Sequence, residues 1–373
     1  MPQLPMPFNS VTIGELNPLI ESGRIMAKQK TSVAVVGCGY WGPNLIRNVA
    51  GLPHAELRAL CDLDEARLQK MSALYNPQYS TPHLSEVLAD PAIEAILLAT
   101  SASSHYELAK QCLAAGKHLL VEKPITLHSH EALELIALAK AQEVRLMVGH
   151  TFQYNPAVKY VREAIQRGDL GQMVYAYMTR VNLGIIRDDL NVMWNLSPHD
   201  ISILLWTFNS LPVRVSAHGF SPLRPNKKLE DIIFMLLEFE NGAVGHIHNS
   251  WIDPNKIRQA TFVGTDKMIV YDDVDMNRKV QIFDKGVVHQ DTPASFGEFQ
   301  LTIREGDILI PRIPTTEPVK AEVSHFIDCV QTGQTPISDG INGWQVVKIL
   351  EAADQSIDRN GAVVEIDWSD APR

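Results

Sequence analysis

From Thr31 to about His150, short apolar stretches alternate with segments whose apolar residues recur at helical spacing. SVAVVG (32–37), AELRALCD (55–62), AIEAILLAT (92–100), KHLLVEK (117–123) and RLMVGH (145–150) read as strands. WGPNLIRNVAG (41–51), DEARLQKMSALY (64–75), SSHYELAKQCLAAG (103–116) and HSHEALELIALAKAQE (128–143) read as the helices between them. Alternation at these lengths predicts βαβ units: an α/β domain over 31–150 with a doubly wound parallel sheet and helices on both faces.

After a helix at about 155–167, ended by RGDLG (167–171), the pattern changes. MVYAYMTRVNL, VRVSAHGF, DIIFMLLEFE, AVGHIHNSW, RQATFVGT, KMIVYDD and KVQIFDK follow one another as strands with turn residues between them, and Asn241-Gly242 marks a hairpin. Two helices, 319–333 and 340–361, close the chain. Residues 151–373 are therefore expected to form an α+β substrate-binding and oligomerisation domain with a large, mainly antiparallel sheet. Residues 1–30 precede the first strand pattern and read as an N-terminal arm or extension, because they lack the basic and apolar regions of a signal peptide.

Composition narrows the partners. The chain has 373 residues, enough for two cores, and a formal net charge of −10. No block of Lys or Arg interrupts that acidity, so neither nucleic acid nor an anionic membrane surface is expected as a partner. The longest apolar runs are strand-length and too short to span a bilayer. Four scattered cysteines suit reduced thiols in a cytoplasmic protein. The 13 histidines form no metal-binding pattern, so no metal is expected.

GCGYWG, Gly37 to Gly42, follows a strand and opens a helix. Gly37 permits the tight turn, Gly39 lets the backbone approach a pyrophosphate, and Gly42 allows close helix–strand packing. Asp62 ends the second strand, where a carboxylate accepts ribose hydroxyls and repels a 2′-phosphate. This Rossmann arrangement favours NAD over NADP. The alternative for Asp62 is capping of the next helix. Lys123 stands at the carboxyl end of a strand, before Pro124, where it faces a ligand crevice or pairs with Glu122 on the surface.

GCGYWG, Asp62, ATSASSH (99–105), AAGKHLLVEKP (114–124), GH-x-x-x-YNPA (149–157), GDLG (168–171) and SDGINGWQVVKILEAADQS (338–356) together resemble the Gfo/Idh/MocA oxidoreductases, from about Thr31 to about Val364. The resemblance implies that Gly37, Gly39, Tyr40, Trp41, Gly42, Asp62, Thr100, Ser101, His105 and Glu122 hold NAD. It also implies assembly as a homodimer or homotetramer through the second sheet. GYWGPNL (39–45) is similar to the branch associated with surface polysaccharides, where UDP-amino-sugar 3-dehydrogenases occur. It implies oxidation at C3 of a UDP-N-acetylhexosamine or its uronate. A free aldose or inositol is the alternative substrate, and a non-catalytic sugar or NAD sensor is the alternative of another class.

In that family the EKP lysine works with a D-x-x-x-H motif, which falls here on Asn195 and His199 of WNLSPHD (194–200). The resemblance implies that His199 is the general base and that Lys123 orients the hydroxyl and stabilises negative charge on its oxygen. Asn195 replaces the family acid: an amide can position His199 or the substrate but cannot accept a proton, which leaves Asp200 as the acid nearby. The competing reading takes Ser197 as a helix N-cap and Pro198 as its first residue, with His199 and Asp200 filling an exposed first turn. Tyr154 and Asn155, with His150 and Pro156, fall where substrate contacts are expected. Arg180 and Arg187 are candidates to clamp a diphosphate. The histidines of GHIHNSW (245–251) share one strand face, solvated or turned toward a subunit.

Overall fold

A computed structural model describes residues 30–289 and 301–372, so most of the expected N-terminal arm lies outside the described residues. The chain begins β1 (Thr31–Val36), α1 (Gly42–Ala50), β2 (Ala55–Cys61), α2 (Glu65–Tyr75), β3 (Tyr79–Thr81), α3 (Leu84–Ala89), β4 (Ala95–Leu98), α4 (Ala102–Ala114), β5 (His118–Val121), α5 (Ser129–Ala141) and β6 (Leu146–Val148). These six strands form one parallel sheet in the order β3-β2-β1-β4-β5-β6. β1 is buried throughout, and its side chains alternate between two cores. Val33 and Val35 pack with α1 and α2, while Ala34 and Val36 pack with α4 and α5. That is the period-2 geometry of a strand covered on both faces.

A 3₁₀ turn (Thr151–Tyr154) leads into α6 (Pro156–Gln166), β7 (Met173–Leu183) and α7 (Val192–Phe208). Then come β8 (Pro212–Phe220), β9 (Ile232–Phe239), β10 (Val244–Ser250), β11 (Ile252–Gly264), β12 (Met268–Asp272), β13 (Val280–Phe283), β14 (Gly286–His289), β15 (Leu301–Arg304) and β16 (Ile308–Leu309). α8 (Pro318–Thr332), α9 (Gly340–Asp358) and β17 (Val364–Glu365) complete the described chain. Nine strands make the second sheet, in the order β16-β13-β12-β11-β7-β10-β9-β8-β17. Its pairings are antiparallel except for β7 with β10, which are parallel. The Asn241-Gly242 hairpin joins β9 to β10, with Gly242 at φ +84°.

One face of this sheet is dry. Ala176 and Met178 of β7, Met235 and Leu237 of β9, and Ile247 of β10 are buried in the core that includes Ile201, Leu204 and Leu205 of α7. The other face carries Tyr175, Tyr177, Phe234 and Leu236, all exposed, and His248 stacks on Phe234 at 4.5 Å. The histidines of β10 thus share a face with an apolar patch.

The last third of the chain returns to the first sheet. Val319, Val323, Phe326 and Ile327 of α8 share the core of Val33, Val35, Leu45 and Ile46. Arg47 of α1 grips Glu317 at 2.5 and 3.0 Å, and Val148 N–H of β6 donates to the Ser338 carbonyl at 2.8 Å. No helix among the described residues is long and apolar enough to cross a membrane.

Candidate active site

The strand order of the first sheet reverses between β1 and β4, and the turns after β1, β4 and β5 meet there, where ligands bind in open α/β sheets. A cleft of about 570 Å³ opens at this point, with α7, the middle of β11 and the turn between β12 and β13 forming its other walls.

The glycine loop has the geometry expected from GCGYWG. Gly37 has φ +99°, and a Cβ there would meet the Ala99 carbonyl oxygen at 2.5 Å. A Cβ on Gly42 would collide with the Gly37 carbonyl, so these two glycines are required by the chain's own packing. Gly39 differs: a Cβ there would meet only Arg67 Nη1, at 3.5 Å. Nothing else among the described residues needs that space, whereas a pyrophosphate approaching the backbone does. α1 begins with no side-chain cap; Pro43 has no N–H and Asn44 N–H donates to the Trp41 carbonyl at 2.9 Å, so Gly42 N–H is the donor of the first turn left to phosphate oxygens. Asp62 does not cap α2; Asp64 does, accepting from Arg67 N–H at 3.1 Å. Asp62 instead accepts from Cys38 N–H at 2.5 Å and Asp64 N–H at 2.8 Å, which fixes its carboxylate beside the loop with lone pairs to spare for ribose hydroxyls. These residues fit a bound NAD.

Tyr40, Trp41, Thr100, His105 and Glu122 line the cleft. Ser101 lies at its edge as the residue before α4, its hydroxyl 3.3 Å from those of Ser103 and Ser104. His105 is buried, with Nδ1 2.7 Å from the Pro124 carbonyl oxygen, so it also fixes the turn that carries Lys123. Glu122 is buried and held above the usual carboxylate range by loss of water, against the pull of Lys123.

Lys123 follows β5 and joins Pro124 through a cis peptide. Its Nζ donates to the Asn195 main-chain carbonyl at 2.7 Å, which ties the end of the first sheet to α7. Removal from water, with Arg187 and Arg180 nearby, holds its ammonium below the ordinary lysine range although Glu122 opposes the shift. Asn195 and His199 are one turn apart on α7, and both line the cleft. The His199 ring stands edge-on to Phe152 with centroids 5.0 Å apart, and its Nδ1 is buried without a hydrogen-bond partner. Burial, then Lys123, Arg180, His150 and Arg258, hold the imidazole well below the usual histidine range, so it is neutral.

Several expectations are corrected here. α7 starts at Val192, capped by Asn191, whose Oδ1 accepts from Trp194 N–H at 2.9 Å. Ser197-Pro198 is therefore interior to the helix and not its beginning. Asp200 does not act as an acid beside His199. It is buried, paired with Arg180 at 2.8 and 3.0 Å, and it accepts from Asn249 Nδ2 at 3.0 Å. The same pair removes the Nε–Nη2 edge of Arg180 from any diphosphate clamp. Arg187 is likewise closed on Asp189 at 2.6 and 2.8 Å. Tyr154 is withdrawn from the cleft altogether: it is buried, with its hydroxyl 2.9 Å from Ser338 Oγ. Asn155 lines the cleft, but its side chain caps α6 and donates to Tyr271 Oη at 3.1 Å. His150 is buried, with neither ring nitrogen hydrogen-bonded, and burial and Lys123 bring it down to about 3.

The cleft also contains residues that the motifs did not single out. Arg258 comes from the middle of β11, Asp273 and Lys279 from the turn between β12 and β13, and Ile313 to Thr316 cross from the second sheet toward α8. Behind Glu122, Glu322 of α8 is buried and accepts from Thr151 Oγ1 at 2.9 Å. Burial and the neighbouring Glu122 hold its carboxyl well above its usual range. These residues are far apart in the chain and follow no common spacing, so only the folded structure assembles them. No group of three or more His, Cys, Asp or Glu among the described residues is arranged to hold a metal.

Residues 31–150 match the family described as "Oxidoreductase family, NAD-binding Rossmann fold", and residues 158–270 match "GFO/IDH/MocA C-terminal domain". The NAD-dependent scyllo-inositol 2-dehydrogenase of Bacillus subtilis is 26% identical, covering 90% of this chain and 96% of its own. UDP-N-acetylglucosamine 3-dehydrogenase of Acidithiobacillus ferrooxidans is 24% identical, covering 84% and 93%. The crystal structure of GenD2 from gentamicin A biosynthesis, in complex with NAD, superposes with a TM-score of 0.76 at 25% identity, covering 94% of this chain and all of GenD2.

Proposed function

The chain belongs to the Gfo/Idh/MocA oxidoreductases, and from that membership and the cleft we propose that it oxidises a secondary alcohol of a sugar with NAD, at C3 of a UDP-N-acetylhexosamine or its uronate. The observation that carries this reading is the convergence of Lys123 and His199 on one cleft beside the glycine loop, with Lys123 bonded to the residue one turn before His199. NAD, when bound, supplies the hydride acceptor. His199, neutral in its cationic surroundings, accepts the proton of the substrate hydroxyl. Lys123, as the ammonium, hydrogen-bonds the same oxygen and stabilises the charge that develops on it. The walls that bury Glu122 and half-bury Lys123 exclude water from the reacting carbon.

The A. ferrooxidans relative supports the sugar-nucleotide reading. The B. subtilis inositol dehydrogenase supports a second reading, oxidation of a free polyol or aldose. Mixing the protein with NAD and UDP-N-acetylglucosamine, its uronate, free aldoses or inositols, and following NADH absorbance, tests both. Substrate-dependent NADH lost in Lys123→Ala and His199→Ala is expected. Full turnover in those variants would refute the assignment, and tight NAD binding with silence on every sugar would favour a sensor.

The apolar face of the second sheet, with Tyr175, Tyr177, Phe234 and Leu236 exposed, supports assembly as a homodimer or homotetramer through that face. Four free, buried cysteines support a reducing, cytoplasmic setting.

A further inference from the structure

The cleft of an acidic protein is lined by five cations, Lys123, Arg180, Arg187, Arg258 and Lys279. Three are already engaged: Lys123 by the Asn195 carbonyl, Arg180 by Asp200 and Arg187 by Asp189. Arg258 and Lys279 make no side-chain hydrogen bond among the described residues and only long ion pairs with the shared Asp273. The middle of β11 and the turn between β12 and β13 set them side by side around Asp273, since Asp273 N–H donates to the Arg258 carbonyl and Asp272 N–H to the Lys279 carbonyl, each at 2.9 Å. Asp273 lies 3.6 Å from Arg258 Nη1 and 3.9 Å from Lys279 Nζ, beyond hydrogen-bond reach of both. Its Oδ1 already accepts from Tyr271 Oη at 3.0 Å and Asn155 Nδ2 at 3.3 Å. One carboxylate thus sits between two cations whose donors remain unfilled among the described residues. Both side chains keep contact with solvent, 41% for Arg258 and 23% for Lys279, so a ligand can reach them. The field of Arg258 also reaches His199 and contributes to keeping that imidazole neutral.

We infer that Arg258 and Lys279 form an oxyanion subsite that receives the carboxylate or phosphate group of an acidic sugar substrate. A planar guanidinium and a nearby ammonium can hold two oxygens of one such group, and the bound anion relieves the repulsion between the two cations. This site is separate from the glycine loop, where the cofactor's phosphates meet backbone N–H groups. The inference rests on the cleft being the sugar site proposed above. It adds where in the cleft the anionic group of that substrate is held, and that a neutral inositol leaves the two cations with Asp273 alone.

Equilibrium titration of the full-length, NAD-saturated protein at low salt tests it, with UDP against uridine and glucuronate against glucose as probes. At least one anion is expected to bind tenfold or more tightly than its neutral counterpart. A preference within the UDP pair identifies a phosphate, and one within the glucuronate pair a carboxylate. The preference should vanish in the Arg258→Gln, Lys279→Gln double variant while NAD affinity and melting temperature stay at wild-type values. Equal binding of anion and neutral probe, or a preference that survives the double variant, would overturn the subsite. The titration needs no turnover, so an enzyme inactive on every sugar would sink the dehydrogenase reading without touching this result.

Discussion

His199 sits among Lys123, Arg180 and Arg258 with no carboxylate hydrogen-bonded to it. Placing an acid at 195 supplies the missing charge. Asn195→Asp is expected to raise the His199 pKa and to move the acid limb of kcat/KM upward by about one pH unit; an unmoved limb would mean that His199 is not the titrating base. In the proposed mechanism Lys123 acts as the ammonium, and its proton is held below the ordinary lysine value of ~10. The rate should therefore fall as pH rises through that lowered value, and a rate that climbs there would assign the base to neutral Lys123. Beside the glycine loop, Asp62→Ser removes the carboxylate proposed to repel a 2′-phosphate and leaves Arg67 near Gly39. NADP use relative to NAD should then rise by about tenfold or more, read as the ratio of the two kcat/KM values. GCGYWG, Asp62 and Lys123 were legible because each is a local signal: a residue type at a fixed place on a strand end. Arg258, Asp273 and Lys279 were not legible, because their meaning lies in the β12–β13 turn meeting the middle of β11.

At the scale of elements, periodicity revealed the longer strands of both sheets, β7 residue for residue, because strands buried on one or both faces show in the apolar pattern; it missed β3, β16 and β17, two or three residues each and too short to show a period. It failed at the start of α7. That helix is buried on nearly every side, so it has no polar face to show a period, and its internal Pro198 imitates a helix start. An interior proline costs about 3 kcal/mol, which packing of the surrounding apolar residues offsets. The buried Arg180–Asp200 pair then joins α7 to β7, with Asn249 of β10 completing it. Asp200→Ala leaves a buried guanidinium unpaired and should lower stability by about 3–5 kcal/mol in chemical denaturation. A loss below about 1 kcal/mol would show that water reaches the vacated space.

For the whole molecule, the pattern foretold two sheets, but not that α8 crosses back to pack on α1. Amphipathic spacing tells which face of a helix is covered and says nothing of what covers it. The uncovered face of the second sheet bears on assembly. For the proposed assembly through this face, the wild type is expected to sediment as a dimer or tetramer and the Leu236→Asp, Tyr177→Asp double variant as a monomer with NAD binding intact. An unchanged sedimentation coefficient would move the interface elsewhere.

The parallel pairing of β7 with β10 has a consequence for the order in which the protein is made. β7 lies between β10 and β11, and Tyr175 finds its partners in Val244 and Val263. A ribosome that has delivered β7, α7, β8 and β9 has therefore produced the centre of a sheet without either neighbour. Until β10 and β11 emerge, both edges of β7 stay open, and its tyrosines lie beside them on a chain still being extended. The first sheet can close strand by strand as it is translated. The second forms late and from the middle, so the nascent protein's exposure to aggregation is concentrated in the interval between β7 and β11.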